Sequence, residues 1–280
     1  MAELHITNYN PFRFHSSANE INYTAVLPIL DKMYLRTQYN KGIYPVDDLY
    51  PNFVVGKTFY IQYYYQGNNT TGYGSAKAYN VNTGSSINLT SFIYNVTGFG
   101  IPIYVLSGTI TVEGEWYIQL TLENEASLPA NGIVKSDIFK VKSFSEEKDL
   151  VKINYYDTGN ANNGYFFNEG GTQVWNPVVY YTGFLDIDTP SFDTSDFTDE
   201  ENNTLNLTST PKIHEVLTIT DIHKSYVINL QCQFACDHIY VNDVRYSRDG
   251  FEVQKTDNSD IVNIIIQLSR NENENMQLIS

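Results

Sequence analysis

Residues 136–167, SDIFKVKSFSEEKDLVKINYYDTGNANNGYFF, decide how the chain is divided. Phe139 and Val141 alternate with Lys140 and Lys142, and Val151, Ile153 and Tyr155 alternate with Lys152, Asn154 and Tyr156. A period of two marks a half-buried strand on each side. Between them, SEEKD (145–149) is short and charged and belongs in solvent. The two strands are either the arms of one hairpin or the last strand of one domain and the first of the next. Each flank holds enough alternating strands for a sheet of its own, which favours the second reading. The predicted division is an extended N-terminal arm over 1–30, a β-sandwich domain over 31–143, a second β-rich domain over 147–270 and a C-terminal tail over 271–280.

Upstream of the knot, residues 1–30 are polar and irregular, punctuated by Pro11 and Pro28. A first strand is predicted at 33–39. Phe59, Ile61, Tyr63 and Tyr65 then alternate with Tyr60, Gln62 and Tyr64 until the turn-rich GNNTTGYG. Further strands are predicted at 76–82, 89–94, 101–112 and 137–142. The cleanest alternation lies at 116–122, with Trp116, Ile118, Leu120 and Leu122 on one side. Short strands divided by Gly, Asn and Pro turns indicate a sandwich. No stretch of 1–143 sustains a 3.6-residue period.

Downstream, strands are predicted at 150–156, 163–167 and 173–187. Residues 186–201, DIDTPSFDTSDFTDEE, read as an acidic loop too polar for a core. Ile222, Tyr226, Val227, Leu230 and Phe234 share one helical face, which predicts a helix over 221–235 with Asp221 as its N-cap. The Val and Ile content of that run also suits a strand. Ile239–Val241 and Val244–Tyr246 flank Asn242–Asp243 as a two-residue hairpin. Turns at Asp249–Gly250 and near Asn258 close a meander whose last strand sets Val262, Ile264, Ile266 and Leu268 on one face. The fold class is therefore all-β, with two tandem sandwich-like domains, the second holding one helix.

The chain has 280 residues and a net charge of −15, with 23 Tyr and 15 Phe against 17 Lys plus Arg. That charge repels a duplex, and no basic cluster interleaved with aromatics offsets it, so a nucleic-acid partner is not expected. The first residues show no basic region leading into an apolar one, and no run approaches the ~20 apolar residues of a membrane span. Membrane insertion is not expected either. Two cysteines, Cys232 and Cys236, set no disulfide framework. With His238 they spell C-x3-C-x-H, but no second ligand pair stands at metal spacing, and packed thiols are the simpler reading. The acidic loop fails as a calcium loop because Ser191 stands where the glycine is required.

No nucleophile elbow, phosphate loop, zinc-protease or dinucleotide motif occurs, and His5, His15, His214, His223 and His238 are scattered. No catalytic, cofactor-binding or metal residues are assigned, and the chain is not expected to be an enzyme or to carry a cofactor. Trp175 and the segments Tyr65–Tyr73 and Tyr155–Phe167 combine aromatic faces with Asn, Asp and Gly. Such segments suit sugar stacking and protein contact equally.

GIVKSDIFKVKSFSEEKDLVKINYYDTGNANNGYFF (132–167) and CDHIYVNDVRYSRDGFEVQKTDNSDIVNIIIQLSR (236–270) together resemble tail proteins of phages infecting Bacteroides, the crAss-like podoviruses among them. The matching residues are Val151, Ile153, Tyr155, Asn160, Gly164 and Phe166, then Ile239, Tyr240, Val241, Asn242 and Tyr246. The resemblance implies an Ig-like or jelly-roll-like first domain followed by a second β-rich one. It also implies a virion structural protein of the tail hub or distal tail, assembled in the host bacterial cytoplasm. Such a subunit would form a homo-oligomeric ring and dock other tail proteins and tail fibres. The alternative is a glycan-binding or receptor-binding module for host attachment.

Overall fold

The computed structural model describes residues 3–16, 51–66, 75–95, 102–121, 133–158, 165, 167–169, 173–187, 191–200, 204–212, 214–257 and 260–270. The first half contributes β1 (Glu3–His5), β2 (Phe14–Ser16), β3 (Asn52–Val54), β4 (Thr58–Gln66), β5 (Ser75–Asn80), β6 (Ser86–Asn88), β7 (Thr90–Asn95), β8 (Pro102–Thr109), β9 (Gly114–Thr121), β10 (Ile133–Ser136) and β11 (Phe139–Lys142). The second contributes β12 (Val151–Tyr156), β13 (Asn168–Glu169), β14 (Gln173–Val174), β15 (Val178–Tyr181), β16 (Gly183–Ile187), β17 (Ser191–Thr198), β18 (Thr204–Lys212), β19 (His214–His223), β20 (His238–Val241), β21 (Val244–Lys255) and β22 (Ile261–Arg270). The α-helix of the described residues, α1, spans Val227–Gln233. The protein is all-β.

Two sheets face each other in the first half. β1-β4-β8-β7 form the small one. The large one runs β16-β19-β22-β21-β20-β12-β15-β3-β11-β9-β10-β2, with β5 and β6 attached to β9. At Leu89 the chain leaves the large sheet for the small one, with Leu89 N–H donating to the Ala76 carbonyl at 2.9 Å. Phe59, Ile61 and Tyr63 of β4 with Tyr104 and Leu106 of β8 pack against Trp116, Ile118 and Phe139 of the large sheet. Beyond the small sheet, the same face of the large sheet is covered by α1 and its approach. There Ile222, Tyr226, Leu230 and Phe234 pack with Tyr155, Ile239, Tyr246, Ile264 and Ile266.

The strands flanking 145–149 neither pair as a hairpin nor belong to separate sheets. β3 lies between the halves, parallel to β11 on one edge (Val141 opposite Phe53) and antiparallel to β15 on the other (Tyr180 opposite Asn52). β15 in turn pairs with β12. One sheet and one apolar core therefore cross the expected domain boundary. The knot itself is exposed, as its charge requires. It forms a 3-10 turn at Phe144–Asp149, opened by Ser143, whose N–H and hydroxyl both donate to the Glu146 carboxylate at 3.0 and 2.8 Å.

Residues 3–16 are not a free arm. β1 pairs with β4 and β2 with β10, and the turn between them buries Tyr9, Asn10 and Phe12. Phe12 stacks on Phe53 at 4.8 Å and meets Phe139 at 4.7 Å and Phe59 at 5.3 Å, joining both sheets. Asn10 uses its side-chain amide as a strand would use its backbone: Nδ2 donates to the Gln62 carbonyl at 2.9 Å, and Oδ1 accepts from Gln62 N at 2.7 Å. From the other half, Tyr155 donates to the Tyr9 carbonyl at 2.6 Å. Asn229 Nδ2 of α1 donates to the Asn8 and Asn10 carbonyls at 3.1 and 3.3 Å. Polar sequence argued for an arm, but here the polar groups are spent on buried hydrogen bonds. The rest of the expected arm (17–30), the start of the expected first domain (31–50) with its strand at 33–39, and the tail at 271–280 lie outside the described residues.

Three local expectations change. β19 continues to His223, so the helix is shorter than 221–235, although Ile222, Tyr226, Leu230 and Phe234 are all buried as the spacing required. Asp221 is not its N-cap; it has φ 53° and lies in the irregularity where β19 slips register between Ile219 and Ile222. Asp249–Gly250 is a bulge within continuous β21, not a turn. The hairpin at Asn242–Asp243 is as read. Both residues have positive φ (50° and 67°), the geometry that matches the twist of the flanking strands.

Because the Tyr155 and Asn229 bonds to the N-terminal turn and the pairing of β15 with β3 join the two halves, the whole chain is expected to unfold in one cooperative step. Phe12→Ala should cost about 3–5 kcal/mol and Asn229→Ala about 1–3 kcal/mol. Urea unfolding followed by circular dichroism checks both. Two separate transitions, only one of them shifted by Phe12→Ala, would show that the halves fold independently.

Candidate functional site

The stretch expected as an acidic loop, 186–201, is largely strand. β16 pairs with β19 from Gly183 opposite Ile219 to Ile187 opposite Glu215. β17 and β18 take up the same antiparallel course, from Ser191 opposite Lys212 to Thr198 opposite Thr204, with a bulge at Ser195/Asp196. Among the described residues, β17 and β18 form a sheet only with each other. They make a two-stranded ribbon about 30 Å long at ordinary strand rise, springing from the edge of the large sheet. A ribbon without a sheet behind it has no core face to fill, so its strands need no apolar alternation, and polarity was a poor guide. Near its tip the Thr198 and Thr204 hydroxyls approach to 3.3 Å, and Phe197 is 54% exposed. At its root, a Cβ on Gly183 would meet the Thr218 carbonyl oxygen at 2.3 Å. Only glycine lets β16 approach β19 there.

The solvent side of the large sheet carries a second feature. Asn154, Tyr240 and Arg245 lie opposite one another across β12, β20 and β21, with Tyr156 opposite His238 in the next row. The Tyr156 and His238 rings stack at 4.3 Å, and Tyr240 follows Tyr156 at 6.1 Å. Burial, helped by a hydrogen bond with Tyr240, pushes the Tyr156 phenol up to about 12. Asn154 Oδ1, His238 Nδ1 and Arg245 Nε are buried without a hydrogen-bond partner among the described residues. The rings stack on one another, so this row stabilises cross-strand pairing.

The aromatic residues that suited sugar stacking lie elsewhere. Trp175 is 1% exposed and packs with Ile103 and Val105 on the far face of the small sheet. Tyr155, Tyr165 and Phe167 are fully buried. None of these has a ring face left for a ligand. Tyr65 is on β4, and 67–73 lies outside the described residues.

Two polar clusters cross β19, β22 and β21, and sequence spacing gave no sign of either. Glu215, 2% exposed, accepts from Arg270 Nη2 at 2.6 Å and from the Tyr246 hydroxyl. Burial and that bond push the Tyr246 phenol up to about 12. Beside it, His214 Nδ1 lies 3.0 Å from Ser269 Oγ and 3.4 Å from Asp249 Oδ2, while Ser269 donates to Asp249. The residue types are those of a nucleophilic triad, but the connectivity is not. A relay needs one imidazole nitrogen toward the serine and the other toward the carboxylate. Here one nitrogen faces both, and the serine proton is already held by Asp249.

Cys232 and Cys236 are free thiols at the end of α1, and burial pushes Cys236 up. Cys236 belongs to the core, whereas His238 stacks with Tyr156 on the opposite side of the sheet, so the C-x3-C-x-H residues do not converge. Among the described residues no group of three His, Cys, Asp or Glu is placed to hold a metal ion. No protein-family profile, curated protein or solved structure matches the chain.

His223 ends β19 and caps the 3-10 turn at Lys224–Tyr226, its Nδ1 accepting from Ser225 N at 3.3 Å and lying 2.7 Å from Ser225 Oγ. Burial holds its imidazole below the usual range, with Asp260 and Asp137 opposing that shift and Arg13 and Lys224 reinforcing it. A depressed histidine stabilises the fold fully above its unfolded value of about 6.5 and loses that contribution as pH falls through the folded value. Protonated Nδ1 no longer accepts the cap. His223→Asn keeps a capping acceptor without the titration. Its urea midpoint should fall less than that of the parent chain between about pH 7.5 and 5.5. Equal losses in both chains would assign the acid sensitivity elsewhere.

Proposed function

We propose that the chain is a structural subunit of a phage tail, at the hub or distal tail, that assembles into a ring and docks neighbouring tail proteins or fibres. The observation that carries this reading is the ribbon β17–β18. An isolated pair of strands is marginal in water, and this one is built from residues 191–212 without a sheet behind it among the described residues. A projection of that kind is accounted for by a surface on another subunit that it grips. The large sheet and its continuous core supply a rigid base for such an arm. The resemblance of residues 132–167 and 236–270 to phage tail proteins supports the same reading. The work is recognition, with assembly in the host cytoplasm and residence in the virion. A glycan-binding module is supported less, because Trp175, Tyr155, Tyr165 and Phe167, four of the aromatics that suited it, are buried.

The test removes the arm and leaves its root. Replacing residues 189–213 by Asn-Gly joins Asp188 to His214 through a two-residue hairpin turn, which keeps the register that sets Ile187 opposite Glu215. The urea midpoint should stay close to that of the parent chain, while sedimentation velocity should show the ring lost. A ring that survives the replacement overturns the assigned role of the ribbon. A parent chain that forms no ring, and is missing from the tail in cryo-electron microscopy of particles, overturns the tail reading itself.

A further inference from the structure

Sheet edges are where chains pair with one another, and proteins usually blunt them by shortness, charge, proline or a bulge. The edges among the described strands divide on that test. β1, β2 and β6 are three residues each. β16 carries Asp186 and runs on toward the ribbon, whose sequence is acidic. β7 has none of these protections. It is the outer strand of the small sheet, six residues long, TSFIYN, and it pairs with β8 without a register shift. It displays Phe92 at 41% and Ile93 at 58% exposure, adjacent residues that face opposite sides of the sheet.

Charge permits a second copy at this edge, and the strand's own pairing selects it. Two copies of this chain bring net charges of −15 together, and like charges across an interface are costly. From Ala78 to Val112 the sequence contains no Asp, Glu, Lys, Arg or His, and β7 lies in the middle of that run. Among the edges of the two larger sheets in the described residues, it is the one at which two copies meet with least repulsion. The strand is also complementary to itself. A two-fold axis perpendicular to the sheet through Ile93 sets Ile93 opposite its own copy, Phe92 opposite Tyr94 and Ser91 opposite Asn95. Aromatic and β-branched residues opposite one another are favourable cross-strand pairs.

We propose that β7 is a self-association edge, pairing antiparallel with β7 of a second copy so that two four-stranded sheets become one of eight. The contact is isologous and closes as a dimer, whereas a ring needs a heterologous contact, so it stands whether or not the tail reading holds. It is therefore tested in the full chain with residues 189–213 replaced by Asn-Gly, which separates it from any contact made by the ribbon. Sedimentation equilibrium at micromolar concentrations should find this variant dimeric. Adding Ile93→Lys sets two like charges against each other on the axis and should weaken the dimer at least about tenfold. Ile93→Val should preserve it. Ile93 is mostly exposed, so the urea midpoint of the Ile93→Lys monomer should stay near that of the parent. Hydrogen exchange gives a second reading, with β7 amides more protected at high protein concentration than at low. A monomeric ribbon-less variant overturns the proposal. So does a dimer indifferent to Ile93→Lys, or β7 exchange that does not depend on concentration.

Discussion

The structure depends on a short turn near the N-terminus whose backbone carbonyls are held from one side and whose side chains are held from the other. The Asn8, Tyr9 and Asn10 carbonyls accept from Asn229 and Tyr155 of the second half. The Asn10 amide closes a two-way pair with Gln62 of the first half, and Phe12 fills the space between Phe53, Phe59 and Phe139. These polar groups are buried, so their loss costs more than the modest net value of a hydrogen bond, since each abandoned partner remains desolvated. Apolar burial drives collapse of each layer. The turn sets how the layers sit on one another.

The same division of labour runs through the second half. Beyond β12, Tyr165 and Phe167 sit in the main core, and Trp175 packs against Ile103 and Val105 on the far side of the small sheet. The small sheet is thereby held on both faces, by the large sheet within and by Trp175 without. Rigidity of this kind suits a part that must present an arm and an edge in fixed positions. Loops carry much of a protein's variation, but here the strands β7, β17 and β18 carry the candidate contacts.

Most strands were legible in the sequence because half-buried strands alternate. Phe59 to Tyr63, Trp116 to Leu120, Val151 to Tyr155 and Val262 to Leu268 fall where the period of two placed them, with their apolar members in the core. The Asn242–Asp243 hairpin was legible because few residue pairs accept positive φ at both turn positions. Sheet order was not legible. It hinges on β3, three residues whose pairing with β11 and β15 leaves no periodic trace. The helix was half legible: its buried face was right, but a β-branched run let β19 persist to His223. The ribbon was misread because polarity distinguishes buried from solvated segments, not strands from loops. The cluster of His214, Ser269 and Asp249 was invisible because its members come from three strands brought together only by the meander.

The clamp on the N-terminal turn has a consequence for synthesis. Asn229 is 221 residues beyond Asn8, and Tyr155 is 146 beyond Tyr9. At ordinary translation speeds of about 5–20 residues per second, roughly ten to forty seconds separate emergence of the turn from emergence of the helix that holds it. β3 waits in the same way, because its partners β11 and β15 begin 85 and 124 residues after it ends (139 − 54 and 178 − 54). During that interval the nascent chain presents unfinished sheet edges and the Phe12 cluster without its full support. Ordering of the turn on the ribosome is thus delayed until the helix at Val227–Gln233 has emerged.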